Sequence, residues 1–162
     1  MEALNKPTVL ITGSESNIGS VLKGTLADEY YVYTLDKVGT ASERHQLVDL
    51  SDYHAMQEAF ANISHLDYIV HLGADPSKDA LWESVLKNNI EGTLNLYQCA
   101  LAKRVKKVIF ASTTHLIGGY PGYPQDIELP DGKKLTVDDQ VKPDGYYGDS
   151  KGFGELLARQ YY

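Results

Sequence analysis

The stretch Thr8-Val9-Leu10-Ile11-Thr12-Gly13-Ser14-Glu15-Ser16-Asn17-Ile18-Gly19-Ser20 decides the fold. Its first five residues are apolar or β-branched with no alternation of polarity, the pattern of a strand buried on both faces. A glycine-containing turn follows, and apolar spacing from about Ile18 to Ala27 predicts a helix. Gly13 lets the chain turn sharply and Gly19 lets the helix pack close to the sheet. The helix N-terminus then presents free N–H groups and a partial positive charge to a pyrophosphate. Gly13, Ser16, Asn17, Ile18 and Gly19 are therefore candidate dinucleotide contacts, although two glycines alone carry little weight.

The neighbouring segment adds weight. Tyr31 to Leu35 reads as a second strand ending at Asp36, about 20 residues past the turn, where a carboxylate accepts hydrogen bonds from the adenosine ribose hydroxyls and repels a 2′-phosphate. This points to NAD over NADP, with Lys37 next door as a counter-indication. An Asp after a strand can also be an ordinary cap, and the pairing with Gly13 and Gly19 favours the ribose role.

The alternation continues along the chain. Gln46 to Val48 reads as a third strand, with Asp49-Leu50 at its end. That pair either meets the adenine, carboxylate on the amino group and leucine on the ring, or caps a helix. Ser51 or Asp52 caps a helix to about Ala61. Tyr68 to Leu72 is a fourth strand, and Leu72-Gly73-Ala74 keeps side chains small where backbone approaches a ligand. One long helix is predicted from Trp82 to about Ala102, a fifth strand from Val108 to Ala111, and a last helix from near Tyr146 to the end. Buried strands alternating with helices imply an α/β domain over residues 1–162: a Rossmann-type, doubly wound parallel sheet with helices on both faces. Gly118 to Gly145, rich in Gly, Pro and Asp, reads as a substrate-side loop.

Composition narrows the function classes. The 162 residues are 43% hydrophobic and 23% charged, as in an ordinary globular protein. A net charge of -7 argues against nucleic acid as a partner. The short basic run Lys103-Arg104 with Lys106-Lys107 reads as a solvated helix end. Cys99, the single cysteine, permits no internal disulfide, favours a reducing compartment and reads as a small core residue. No apolar run approaches the ~20 residues that span a bilayer, and the N-terminus lacks a charged segment leading into an apolar one. A cytoplasmic protein with no membrane partner is expected, and no metal site.

The chemistry is signalled by Tyr147-Gly148-Asp149-Ser150-Lys151. Positions i and i+4 share a helix face, so a tyrosine hydroxyl and a lysine ammonium can serve one site. An adjacent ammonium favours the phenolate and so makes a phenol a better base at neutral pH. Such a spacing is common by chance on exposed helices. Here Ser112, Thr113 and Thr114 follow the fifth strand directly and offer a hydroxyl to orient a substrate oxygen.

With these motifs in place, the chain resembles the extended short-chain dehydrogenases, the NAD-dependent epimerase/dehydratase superfamily. The resemblance runs through Thr12-Gly13 to Gly19, Asp36, Asp49-Leu50, His71 to Ala74, Asn89 to Thr93, Phe110 to Gly118, and Tyr147 with Lys151. It implies that Tyr147 is the general base, that Lys151 lowers its pKa and holds the nicotinamide ribose, and that Thr113 supplies the family's hydroxyl, with Ser112 as the fallback. It makes Asn89 a structural and cofactor-side residue and His71 structural. His71 to Trp82, Ala111 to Gly118 and Pro143 to Glu155 are most similar to uronate dehydrogenase-like sugar dehydrogenases. His115 matches a substrate contact of that group, and Thr114 stands where the group usually has an asparagine. Ser16 replaces the central glycine of the family's turn, so its hydroxyl must accommodate or bond the phosphates.

The implied reaction is oxidation of a hexuronate or related unphosphorylated sugar at the anomeric carbon to a lactone. A nucleotide-sugar epimerase or dehydratase, or an inactive nucleotide-binding module, are the other readings. The family continues past the catalytic helix, so an amino-terminal fragment is expected, and a homodimer through the long helix and the Tyr147 helix is implied by resemblance alone.

Overall fold

A computed structural model describes residues 6–124, 132 and 134–161. Part of the expected Gly118–Gly145 connection lies outside the described residues.

Five strands form one parallel sheet in the order β3-β2-β1-β4-β5, with β1 Thr8–Thr12, β2 Tyr31–Asp36, β3 His45–Leu47, β4 Tyr68–His71 and β5 Lys107–Phe110. Every residue of β1 is buried, which accounts for its unbroken apolar run. As the central strand it pairs with β2 (Val9 opposite Val32) and with β4 (Val9 opposite Tyr68). The chain reverses its direction across the sheet between β1 and β4, and that is where a crevice opens at the carboxyl ends of the strands.

Helices cover the two faces unequally. On one face Val9, Ile11 and Val70 pack against Leu22 and Leu26, residues in and just after α1 (Asn17–Thr25). On the other, Leu10, Leu35 and Ile69 pack against Met56 and Phe60 of α2 (Tyr53–Ala61) and Leu96, Cys99 and Ala100. Each such fully buried aliphatic side chain contributes roughly 1.5–3 kcal/mol. Cys99 is buried as expected, and burial pushes its thiol up to about 11. On β5, Val108 packs into this core while Ile109 is 55% exposed.

Several element limits shift by a residue or two from the sequence reading, β3, β4, β5 and α1 among them, and the structure chooses between the two cap candidates of α2. Asp52, and not Ser51, caps α2: its carboxylate accepts from the Ala55 amide, while Ser51 turns to Asp49. The expected single helix Trp82–Ala102 is interrupted. α3 (Trp82–Val85) widens into a π-helical stretch, Leu86–Glu91, before α4 (Gly92–Ala102) resumes regular geometry. Periodicity alone does not report such a bulge, and bulges of this kind gather at functional sites.

The basic run is also more than a solvated helix end. Lys106 lies 2.7 Å from the carboxylate of Asp67, which also accepts from the Thr8 amide at 2.9 Å and lies 3.0 Å from His65. Asp67 is buried and ties the starts of β1 and β5 together beside β4. The Lys106 ammonium and the Thr8 amide hold its carboxyl down at about 2, against the opposing push of burial. The last helix, α5, spans Tyr146–Tyr161 and packs against α4, the π-helical stretch and a short 3-10 turn, Thr114–Ile117.

Candidate active site

A cavity of about 430 Å³ opens at the carboxyl ends of β1, β2 and β4. Leu35, Val48, Leu50 and Leu72 supply its apolar walls, and Gly13, Ser16, Gly73 and Ala74 line the β1/β4 side. Gly13 adopts φ +68°, and a side chain there would run into the Gly73 backbone. At Gly19 a Cβ would lie 2.3 Å from the Gly13 carbonyl oxygen. The turn thus brings the N-terminus of α1 hard against the strand end. Asn17 and Ile18 form the first turn of that helix and are exposed.

Ser16 has a definite job. Its hydroxyl donates to the Gly13 carbonyl at 2.7 Å and accepts from the Gly19 amide at 3.1 Å, making it the N-cap of α1. The residue expected to accommodate or bond phosphate is therefore engaged in closing the turn itself.

Asp36 lines the same cavity. Its two carboxylate oxygens accept from the Glu15 amide at 2.8 Å and the Lys37 amide at 2.7 Å, which fixes their direction. The Lys37 ammonium is turned elsewhere: it donates to Asn88 and lies 3.6 Å from Asp49. Asp49 stands outside the cavity lining, engaged by Ser51, Lys37 and, at 3.2 Å, Lys87. Burial pushes the Asp49 carboxyl up, but the Ser51 hydroxyl and amide and the two lysines outweigh it and hold it at about 2. Of the expected adenine-side pair, Leu50 lines the cavity, while Asp49 is engaged by Ser51 and the two lysines.

Asn89 sits in the π-helical stretch, 2% exposed. Its amide accepts from the Asp75 amide and donates to the Asp75 carbonyl and the Ser150 hydroxyl. Ser150 donates in turn to the Tyr147 carbonyl. The π-bulge therefore lets one side chain join the loop after β4 to the first turn of α5. His71 is wholly buried between Thr12 (2.7 Å) and Thr93 (3.1 Å). Burial, with the charge of Lys151, drops its pKa to about 3, so it stays a neutral brace between β1 and α4, a structural residue.

The second cluster gathers after β5. Thr113 caps the 3-10 turn, its hydroxyl accepting from the His115 amide at 3.2 Å. Ser112 donates to Glu155 at 2.5 Å. Thr114 bonds the Tyr123 hydroxyl at 2.9 Å. The ring of His115 meets Tyr147 edge-on, with centroids 5.8 Å apart. One helical turn beyond Tyr147, Lys151 is 4% exposed, its ammonium 4.8 Å from the Phe110 ring centroid and 5.8 Å from that of Tyr147. Burial pushes its pKa down to about 8. The bond between Asp144 and the His115 Nδ1, the Phe110 ring beside the Lys151 ammonium and the bond between Ser150 and Asn89 are not legible in the sequence: each spans a long separation, and no local spacing marks it.

Residues 9–162 match the NAD dependent epimerase/dehydratase family. The chain belongs to that family. It is 36% identical to an L-arabinose 1-dehydrogenase (NAD(P)(+)) of Haloferax volcanii, over 94% of this chain and 60% of that protein. It is likewise 36% identical to a uronate dehydrogenase of Agrobacterium fabrum, over 95% of this chain and 55% of the relative. A solved mutant uronate dehydrogenase from Agrobacterium tumefaciens, complexed with NAD, superposes with a TM-score of 0.79 at 33% identity, covering 96% of this chain and 56% of that one. The chain therefore spans a little over half the length of these relatives.

For a member of the epimerase/dehydratase family, the residues present fit the cofactor. A glycine turn under a helix N-terminus suits a pyrophosphate, the braced carboxylate of Asp36 suits a ribose diol, and the cavity walls are apolar where an adenine ring would lie. The departure at Ser16 costs the turn nothing visible, because the hydroxyl is absorbed as a cap. Among the described residues no helix is long and apolar enough to cross a membrane.

Proposed function

We propose that the protein oxidises a hexuronate or related unphosphorylated sugar at the anomeric carbon to a lactone, with NAD as the hydride acceptor. The observation that carries this reading is the convergence of Thr113, His115, Tyr147 and Lys151 beyond the carboxyl end of β5, next to the cavity that fits a dinucleotide. Thr113 would hold the anomeric hydroxyl, and Tyr147 would take its proton as the C1–H hydride leaves and the C1–O bond becomes a carbonyl. Lys151 would stabilise the negative oxygen that proton loss leaves on Tyr147, and would bond the nicotinamide ribose. Thr114 and His115 would contact the sugar. Gly13, Ser16, Asn17, Ile18 and Gly19 would face the pyrophosphate, Asp36 the adenosine ribose, and Leu50, Leu72, Gly73 and Ala74 the remaining cavity wall, with Asn89 bracing the site from behind.

The similarity to uronate and arabinose dehydrogenases supports a sugar substrate. The reducing setting suggested by a single buried cysteine supports a cytoplasmic location, and the charge of -7 supports a site for small molecules over nucleic acid. We assign pairing of two copies to α4 and α5, where Leu101 and Leu156 stand 63% and 65% exposed.

Net NADH formation with D-glucuronate tests the reaction. Tyr147→Phe should cut that rate at least ~100-fold, the range general-base loss produces, with NAD affinity nearly unchanged. Sugar interconversion without net NADH would assign the site to epimerisation. Absence of both, in protein that binds NAD, would leave a nucleotide-binding module.

A further inference from the structure

We infer that Asp144 is a positioning residue, which holds the Nδ1–H of His115 and so leaves Nε2 to accept a hydrogen bond from a sugar hydroxyl beside Tyr147. This rests on the reading of His115 as a substrate contact.

The His115 Nδ1 lies 2.8 Å from one carboxylate oxygen of Asp144 and 3.1 Å from the other. An ionised carboxylate only accepts, so Nδ1 must carry the hydrogen, and the lone pair of a neutral ring then sits on Nε2. Among the described residues Nε2 has no hydrogen-bond partner, and the His115 side chain is 24% exposed. The titratable groups facing the ring are Asp144, Tyr123 at 5.9 Å between centroids and Tyr147 at 5.8 Å.

The carboxylate is placed by main chain. The Asp144 amide donates to the His115 carbonyl, the Lys142 amide to the Leu116 carbonyl, and the Gly119 amide to the Lys142 carbonyl at 2.7 Å. Asp144 packs so closely on the 3-10 turn that a Cβ at Gly118 would lie 2.2 Å from its Oδ2. The ring is therefore held at one nitrogen by a rigid acceptor and flanked by two aromatic rings, with its other nitrogen unengaged. That arrangement orients a contact. A tether alone would need only the backbone bonds already present.

The test is nitrogen NMR of the His115 ring in the whole chain, followed by titration with D-glucuronate, L-arabinose and D-glucose in the presence of NAD. The inference expects the Nδ1–H tautomer in the unmutated protein and in Asp144→Asn, whose amide oxygen still accepts, and a mixed tautomer in Asp144→Ala. It also expects a saturable shift of Nε2 by sugar, weakened by ~5-fold or more in Asp144→Ala with NAD affinity held within about twofold. An Nε2–H tautomer in the unmutated protein, or no movement of Nε2 with any of the three sugars, would overturn it; both are read without a variant. A folded Asp144→Ala that binds sugar as well as the parent would also overturn it. Movement with arabinose or glucose but not with glucuronate would sustain the role of Asp144 and remove the uronate reading.

Discussion

The ammonium of Lys151 lies 4.8 Å from the centroid of the Phe110 ring, and among the described residues it makes no hydrogen bond. Burial without an acceptor pushes its pKa from 10.5 to about 8. The unfolded chain then binds more protons than the folded one between pH 8 and 10.5, so stability rises with pH across that window. Below pH 8 the full cost of burying the charge remains. Lys151→Met should therefore stabilise the fold at pH 7, by on the order of 1–3 kcal/mol, and flatten the alkaline rise. It should also weaken NAD binding. Melting curves at pH 7 and pH 10 check this, and a lower Tm for the variant at pH 7 would contradict it.

Ser16 is expected to matter to the helix more than to the phosphates. Ser16→Ala should cost about 1 kcal/mol through loss of the cap, and Ser16→Gly only a few tenths. NAD affinity in Ser16→Gly should be kept or improved, because the backbone there must come close to phosphate. Calorimetric titration alongside denaturant melts separates the two effects. Abolished binding in a folded Ser16→Gly would make the hydroxyl an essential ligand.

Cofactor choice should follow Asp36. Its carboxylate is aimed by the Glu15 and Lys37 amides, and the neighbouring Lys37 ammonium is drawn off toward Asn88 and Asp49. NAD should bind at least tenfold more tightly than NADP, about 1.4 kcal/mol. Asp36→Ala should weaken NAD selectively and narrow that ratio, whereas Lys37→Ala should leave it standing. Equal affinity of the unmutated protein for both cofactors would sink the assignment.

Asp67 makes stability sensitive to acid. Its carboxyl, held at about 2 by Lys106 and the Thr8 amide, lies below the ordinary value of 3.8. The stabilisation is present above pH 3.8 and lost as pH falls through about 2. Asp67→Asn should lower the Tm at pH 7 by on the order of 5 °C, and the difference from the parent should vanish near pH 2. An unchanged Tm at pH 7 would show that the three contacts are incidental.

The sequence by itself determined the class of fold and most of the turn and strand ends that line the cavity. The unbroken apolar run of β1, the glycine turn and Asp36 are local signals, since a strand buried on both faces and a helix docked on a turn impose their demands within a few residues. The Tyr147–Lys151 pair was legible for the same reason: one helical turn relates its members. Tertiary structure alone decided that Ser112 bonds Glu155, 43 residues away, while Thr113 caps the 3-10 turn. It decided that Asp49 pairs with Lys37 and Lys87, since those cations arrive from the end of β2 and the π-helical stretch. The π-bulge at Asn89 and the bond from His115 to Asp144, 29 residues on, were likewise beyond the reach of pattern. Periodicity records which face of an element is buried, while hydrogen bonds between distant elements depend on how the sheet, the helices and the turns meet.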